Sequence, residues 1–215
     1  MKNEKVLMKL MWAIALLPVL ITLFVFSGLP PEIPMHWNIH GEIDAWYPKF
    51  PWAFMPPVIG IVITILATVL PKIDPKKENY DRFKRQYFII RLILVAFFAV
   101  LQMVIISISM GAAFIKVDTI IKLMIGILFI VLGNLMPKFK QNYFVGIKTP
   151  WTLNNEAVWA KTHRHGGFVW FVAGFIMSVL AFLPGIGSAV VYFTVILIAS
   201  IEPILFSWLQ YRKQR

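Results

Sequence analysis

Residues 88–110 read FIIRLILVAFFAVLQMVIISISM, with Arg91 the only charge in the stretch. A bilayer core about 30 Å thick is crossed by about 20 mostly apolar residues in helical form. Backbone groups in lipid must bond within their own segment, so the stretch reads as a membrane-spanning helix. Working outward, five further apolar runs occupy residues 7–27, 52–70, 119–135, 168–183 and 188–209. Those at 119–135 and 168–183 lie near the short limit for a span. The expected fold class is an all-α polytopic integral membrane protein with six transmembrane helices.

Composition agrees with the runs. Apolar residues make up 59% of the 215 positions and charged residues only 14%, against about 25% charged in an ordinary soluble domain. One soluble core could not absorb that much apolar sequence without exposing large patches. The chain has no Cys. That excludes disulfide frameworks, thiolate zinc sites, thiol nucleophiles and lipidated-cysteine anchors. Residues 7–27 follow a basic start (Lys2, Lys5, Lys9), yet the run exceeds a signal-peptide core and no A-x-A-like site follows it. It reads as a retained first span.

The net charge of +11 is distributed by side. One set of alternate segments holds Lys2, Lys5 and Lys9, then Lys72 to Arg85, then Lys138 to Arg164, then Arg212, Lys213 and Arg215. Together these carry seventeen basic residues, whereas the opposite set holds only Lys49 and Lys116. By the positive-inside rule both termini are cytoplasmic. Anionic lipid of the inner leaflet accounts for the basic excess, with no direct nucleic-acid partner expected. Three regions follow: a two-span region at 1–87 with an extracellular loop at 28–51, a third span and short outer loop at 88–118, and a region at 119–215 with a cytoplasmic loop at 136–167. Pro-Lys-Phe occurs in both long loops, at Pro48 and Pro137, which is what chance supplies and gives little support to an inverted repeat.

Loops of this length in compact proteins tend to carry function. The outer loop gathers His36, His40, Glu42 and Asp44 among Trp37, Trp46, Tyr47 and Trp52. The ligand types suit a divalent ion, but Pro34 and Gly41 oppose the helix that would align the two histidines. An aromatic recognition surface built on Pro34, His36, Trp37, Asn38, Gly41, Asp44 and Trp46 is the expectation, with no metal and no cofactor. In the inner loop, Thr152 is expected to cap a helix over residues 153–165. Val158 and Trp159 oppose Lys161 and Arg164 there, as on an interfacial amphipathic helix. Two readings stand side by side, a loop held against headgroups and a cytoplasmic docking surface.

Inside the runs, Arg91 and Glu202 lie at similar depths from the cytoplasmic face at about 1.5 Å per residue, so an Arg91–Glu202 ion pair is expected. Pro203 should leave one carbonyl of the last span without its donor. Lys122 can snorkel outward. No two glycines are four apart, so a GxxxG seam is not expected. There is no HExxH, GxSxG, GxxxxGK[ST] or GxGxxG, and no enzyme is expected.

The inner loop carries a resemblance. Asn134-Leu-Met-Pro137-Lys138-Phe-Lys-Gln-Asn142-Tyr-Phe-Val-Gly146-Ile-Lys148-Thr149-Pro150-Trp151-Thr152-Leu153, with Val158-Trp159 and Thr162-His163-Arg164 beyond it, resembles the signature of the SdpI family of bacterial membrane immunity proteins. Leu29-Pro-Pro-Glu-Ile-Pro34 with His36-Trp37-Asn38, Gly41 and Asp44 resembles the small uncharacterised domain that often precedes it. Lys148 stands where many relatives have Arg, keeping the charge without the planar fork. The resemblance implies protection of a bacterial cell membrane against a secreted SdpC-type peptide toxin. It further implies retention of a small DNA-binding repressor at the inner face. The outer loop would then face toxin, while Asn134, Pro137, Lys138, Asn142, Gly146, Lys148, Thr149, Pro150, Trp151, Thr152, Trp159, Thr162 and His163 would form the docking loop. Alternatives from other classes are a small transporter or channel, for which Gln102, Asn134 and Glu202 make a thin lining, and a membrane metalloenzyme.

Overall fold

A computed structural model describes residues 2–112 and 116–214, with side chains from residue 5 onward. Residues 113–115, in the short loop expected after the third span, and Arg215 of the basic tail lie outside the described residues, as does the side chain of Lys2. The long helices are α1 (Lys2–Val25), α3 (Met55–Ile73), α4 (Lys84–Ser109), α5 (Val117–Leu135), α7 (Glu156–Leu180) and α8 (Ile186–Arg212). Two short helical turns, α2 (Lys49–Trp52) and α6 (Pro150–Asn154), sit in the loops.

Among the described residues five segments are long and apolar enough to cross a membrane: Lys5–Gly28, Lys49–Ile73, Lys77–Ser109, Val117–Lys138 and Ile186–Arg212. This is a multi-pass membrane protein. The expected span at 168–183 is not one of the five. It forms the apolar C-terminal part of α7, a helix whose first turns carry Glu156, Lys161, His163, Arg164 and His165.

One element departs from the all-α expectation. Residues 28–51 contain an antiparallel hairpin of β1 (Glu32–Trp37) and β2 (Ile43–Pro48), paired Glu32 to Pro48, Ile33 to Tyr47 and Trp37 to Ile43, with irregularities around His36. Ile33, Met35 and Trp37, two residues apart, supply the apolar side of β1. They pack with Leu29, Ala53, Leu101 and Ile105, a period-two pattern that suits a strand.

The chain forms two compact units, residues 1–68 with 91–121 and residues 69–90 with 122–215. In the first, Met11, Ala15 and Val95 make a buried apolar centre. Gln102, fully buried, donates to Thr22 Oγ1 at 2.8 Å and to the Ala53 carbonyl at 2.9 Å, tying α1 and the α2–α3 link to α4.

In the second unit, α5 and α7 approach backbone to backbone. A Cβ on Gly133 would stand 2.4 Å from the Phe171 nitrogen, and one on Gly174 would stand 2.6 Å from the Gly126 carbonyl oxygen. Gly126 and Gly133 are seven apart on α5, as are Gly167 and Gly174 on α7. Small residues let membrane helices close in, and a seven-residue spacing keeps them on one seam. The absence of GxxxG was therefore no guide to close packing.

Pro203 behaves as its chemistry requires. The carbonyl of Ala199, deprived of its i+4 donor by the proline, accepts Trp170 Nε1 at 2.9 Å instead. Trp170 in turn stacks on Phe129, with ring centroids 4.5 Å apart.

Each residue of the expected Arg91–Glu202 ion pair has a partner inside its own unit. Arg91 donates to Thr68 Oγ1 at 2.9 Å within the first unit. Glu202, in the second, lies 2.6 Å from His165 Nε2, and the His165 ring stacks on Phe206.

Candidate functional site: the hairpin and the 136–167 loop

The hairpin is shaped by Asn38. Its Oδ1 accepts the backbone N–H groups of His40 at 2.8 Å and Glu42 at 3.1 Å, and its Nδ2 donates to Glu42 Oε2. Gly41 adopts a φ of +80°, and a Cβ there would stand 2.9 Å from Asp118 Cβ, so both conformation and space demand glycine. His36 and Asp44 face each other across the strands, Nδ1 to Oδ1 at 2.5 Å, both open to solvent. Trp46 is 52% exposed. Pro34, by contrast, is buried, so it shapes the strand and offers no surface. No group of three His, Cys, Asp or Glu side chains converges among the described residues.

Lys49, the one Lys or Arg of this loop, has a structural role. Its Nζ donates to the carbonyls of Phe26 at 3.0 Å and Leu29 at 2.9 Å. The first of these lies just past α1, where a cation meets the negative end of the helix dipole.

The 136–167 loop is organised by Asn142, which is fully buried. Its Oδ1 accepts from the backbone nitrogens of Phe144 and Val145, and its Nδ2 donates to the carbonyls of Lys140 and Val145. Beside it lies Asp74, buried at the end of α3. Its carboxylate takes the Lys76 N–H at 2.7 Å, the Tyr80 hydroxyl at 2.9 Å and the Tyr143 N–H at 2.9 Å. Gln141 donates to the carbonyls of Thr152 and Leu153 and accepts from Lys76 Nζ, while its own carbonyl takes Asn79 Nδ2. A buried carboxylate held by three donors is tolerated where an unpaired one would not be. No local sequence pattern marks Asp74, Tyr80 or Gln141, since their partners lie up to 69 positions away.

The capping differs from the expectation at Thr152. Thr149 is the N-cap of α6, with Pro150 at the first helical position, and Thr152 closes a capping box by accepting the Thr149 N–H at 2.9 Å. Asn155 then caps α7, receiving the N–H groups of Ala157 and Val158. The helix expected over 153–165 is thus the start of the long α7. Its apolar face, Val158 and Trp159, packs into the protein while Lys161 and Arg164 stay exposed.

On that face His163 is completely buried. Its Nδ1 lies 2.9 Å from the Trp159 carbonyl, which can only accept, so Nδ1 carries the proton. The bare Nε2 then accepts the Ile147 N–H at 3.0 Å. Burial holds the imidazole down to a pKa of about 4, so it is neutral near pH 7. Gly146, at φ +114°, abuts the Nε2 edge of the ring, where a Cβ would overlap Nε2. Trp159 stacks on His163 with centroids 3.9 Å apart and donates from Nε1 to the Phe139 carbonyl.

Asn142, Thr149, Thr152, Trp159, Thr162 and His163 are therefore buried, which corrects their placement on a docking face. They hold the loop's shape. Asn134, Pro137, Lys138, Lys148 and Pro150 remain exposed, with Trp151 and Gly146 partly so.

Comparison with known proteins matches the same stretch of chain. A family model described as the SdpI/YfhL protein family matches residues 138–207, from Lys138 through the capping box and His163 to Ser207. A domain of unknown function (DUF1648) matches residues 13–61, which contain the hairpin. Over 201 residues the chain is 31% identical to the Bacillus subtilis (strain 168) protein named Immunity protein SdpI, covering 93% of each. The chain belongs to the SdpI family. No solved structure matches it. The SdpI family match thus covers the buried scaffold of the 136–167 loop together with α7 and most of α8.

Proposed function

We propose that this chain is a membrane immunity protein of the bacterial cell membrane. In this reading it protects its host against a secreted SdpC-type peptide toxin. The observation that carries the reading is the 31% identity, over 93% of both chains, to a protein named for immunity.

In this reading the chain crosses the membrane six times with both termini inside. The lopsided distribution of basic residues supports that orientation. The sixth crossing is the apolar part of α7, which presents Phe168 and Phe175 outward and lies against α5 along the glycine seam. The hairpin then stands outside. His36, Trp37, Asn38, Asp44 and Trp46 offer an aromatic and acidic face, suited to a cationic or amphipathic peptide, on a turn already ordered before contact. The 136–167 loop stands inside, where Lys138, Lys148 and Trp151 could engage a repressor.

Expression in a toxin-sensitive bacterium lacking the gene, followed by survival against SdpC-type peptide, tests the proposal. Protection is expected. Full sensitivity at good membrane abundance would overturn it.

A further inference from the structure

At the end of α8 the chain builds an open groove of about 620 Å³ lined by Trp151, Trp208, Tyr211 and Arg212. Its walls are fixed at both ends. Thr149 Oγ1, at the start of α6, lies 3.2 Å from Ser207 Oγ. Asn155 Nδ2, just past α6, donates to Gln214 Oε1 at 2.8 Å. Thus α6 is laid along the last two turns of α8, and the aromatic side chains lie between the two ties.

Arg212 follows Trp208 by four residues, one helical turn, and its guanidinium lies 5.0 Å from the indole centroid. No carboxylate pairs with it among the described residues. Lys148 and Lys213 lie close by in sequence and are exposed. Along α8 away from the groove, Ile201, Leu205 and Leu209 are about half exposed, a continuous apolar track beginning where the aromatic residues end.

A cationic, aromatic-walled pocket opening onto an apolar helix face has the chemistry of an anionic phospholipid: a phosphate for the guanidinium, a glycerol region for the rings, an acyl chain for the track. We infer that the groove of Trp151, Trp208, Tyr211 and Arg212 binds the headgroup of an anionic phospholipid, whose acyl chain follows Leu205 and Leu209. The bound lipid bridges α6 to α8 and so couples the 136–167 loop to the composition of the leaflet. This inference rests on α8 crossing the bilayer, part of the reading above, and not on immunity. Lipid binding and survival are separate measurements, so either can fail alone.

The test uses the full-length chain, delipidated in neutral detergent, with bound lipid counted by native mass spectrometry. Titrants are palmitoyl-oleoyl phosphatidylglycerol, phosphatidylcholine with the same chains, and inorganic phosphate. The wild type is expected to prefer phosphatidylglycerol. Arg212→Gln should weaken that lipid about fivefold, the worth of one cation near a charged headgroup, and erase the preference. Trp151→Ala should weaken both lipids, Arg212→Lys should retain the preference, and Lys77→Gln, a base outside the groove, should behave as wild type. Matched melting curves exclude misfolding. Equal binding by wild type and Arg212→Gln would overturn the inference, as would an equal loss in Lys77→Gln. Displacement of the lipid by a tenfold excess of inorganic phosphate would also overturn it, because the site would then read phosphate alone.

Discussion

The imidazole of His163 accepts the backbone N–H of Ile147 at 3.0 Å, and Gly146 abuts the Nε2 edge of the ring. This acceptor role exists only for the neutral ring. The folded pKa of about 4 lies below the usual 6.5. Between those values the unfolded chain takes up a proton that the folded chain refuses, so stability falls as pH falls. The effect amounts to about 2 kcal/mol by pH 5 relative to pH 8. Melting temperature in neutral detergent should decline across that window. In His163→Phe the protein should melt lower at pH 8, yet its decline between pH 8 and pH 5 should be shallower. An equally steep decline would place the sensitivity elsewhere.

Gly146→Ala tests the same clasp from the other side. A φ of +114° is costly for any residue with a Cβ, and here the added carbon meets His163 Nε2. The variant should lose at least about 2 kcal/mol. Trp159 fluorescence should also redshift as the stacked rings part.

Asn142→Ala removes a side chain whose two ends satisfy four backbone groups inside the loop. Unmet buried donors cost about 1–3 kcal/mol each. The substitution should therefore expose the 139–149 backbone to rapid hydrogen exchange while leaving exchange in α1 unchanged.

How far the sequence announces these features depends on range. Six apolar runs mark candidate crossing segments, five of which form helices long and apolar enough to span, because the bilayer imposes that length directly. The hairpin is harder to see: its inward set is only Ile33, Met35 and Trp37, with Pro34 interrupting the strand. Asp74 and Tyr143 meet across 69 positions, and a local pattern carries no trace of that. Thr149 rather than Thr152 is the cap, a difference of three positions, about one helical turn. The glycine seam was legible in principle, at a spacing of seven on two separate helices, but it is invisible to a search for glycines four apart. The His165 partner of Glu202 lies 37 positions away, beyond the reach of a local pattern.

The seam makes its own prediction. Gly167→Val places a branched side chain where a Cβ alone would stand 2.7 Å from the Gly133 carbonyl, whereas a Cβ at Gly187 meets nothing within 4 Å. Gly167→Val should sharply lower melting temperature or membrane yield, by an overpacking cost of about 1–3 kcal/mol or more. Gly187→Val should melt close to wild type.

Orientation can be read without background, because the chain has no Cys. Single cysteines at Ile39, on the exposed hairpin turn, and at Lys148, on the exposed part of the 136–167 loop, report the two sides. On intact cells a membrane-impermeant maleimide should label Ile39→Cys and spare Lys148→Cys, and lysis should expose the second. Labelling of both sites on intact cells would contradict the proposed crossings.

The most direct test of the account is survival of a sensitive bacterium under SdpC-type peptide, comparing wild type with the double variant His36→Ala, Trp46→Ala at equal membrane abundance. These side chains are exposed, and an exposed pair such as His36–Asp44 is worth at most about 1 kcal/mol to stability. The variant should therefore fold normally and lose protection. Full protection by the variant would remove the hairpin from toxin recognition, and no protection by wild type would contradict immunity itself.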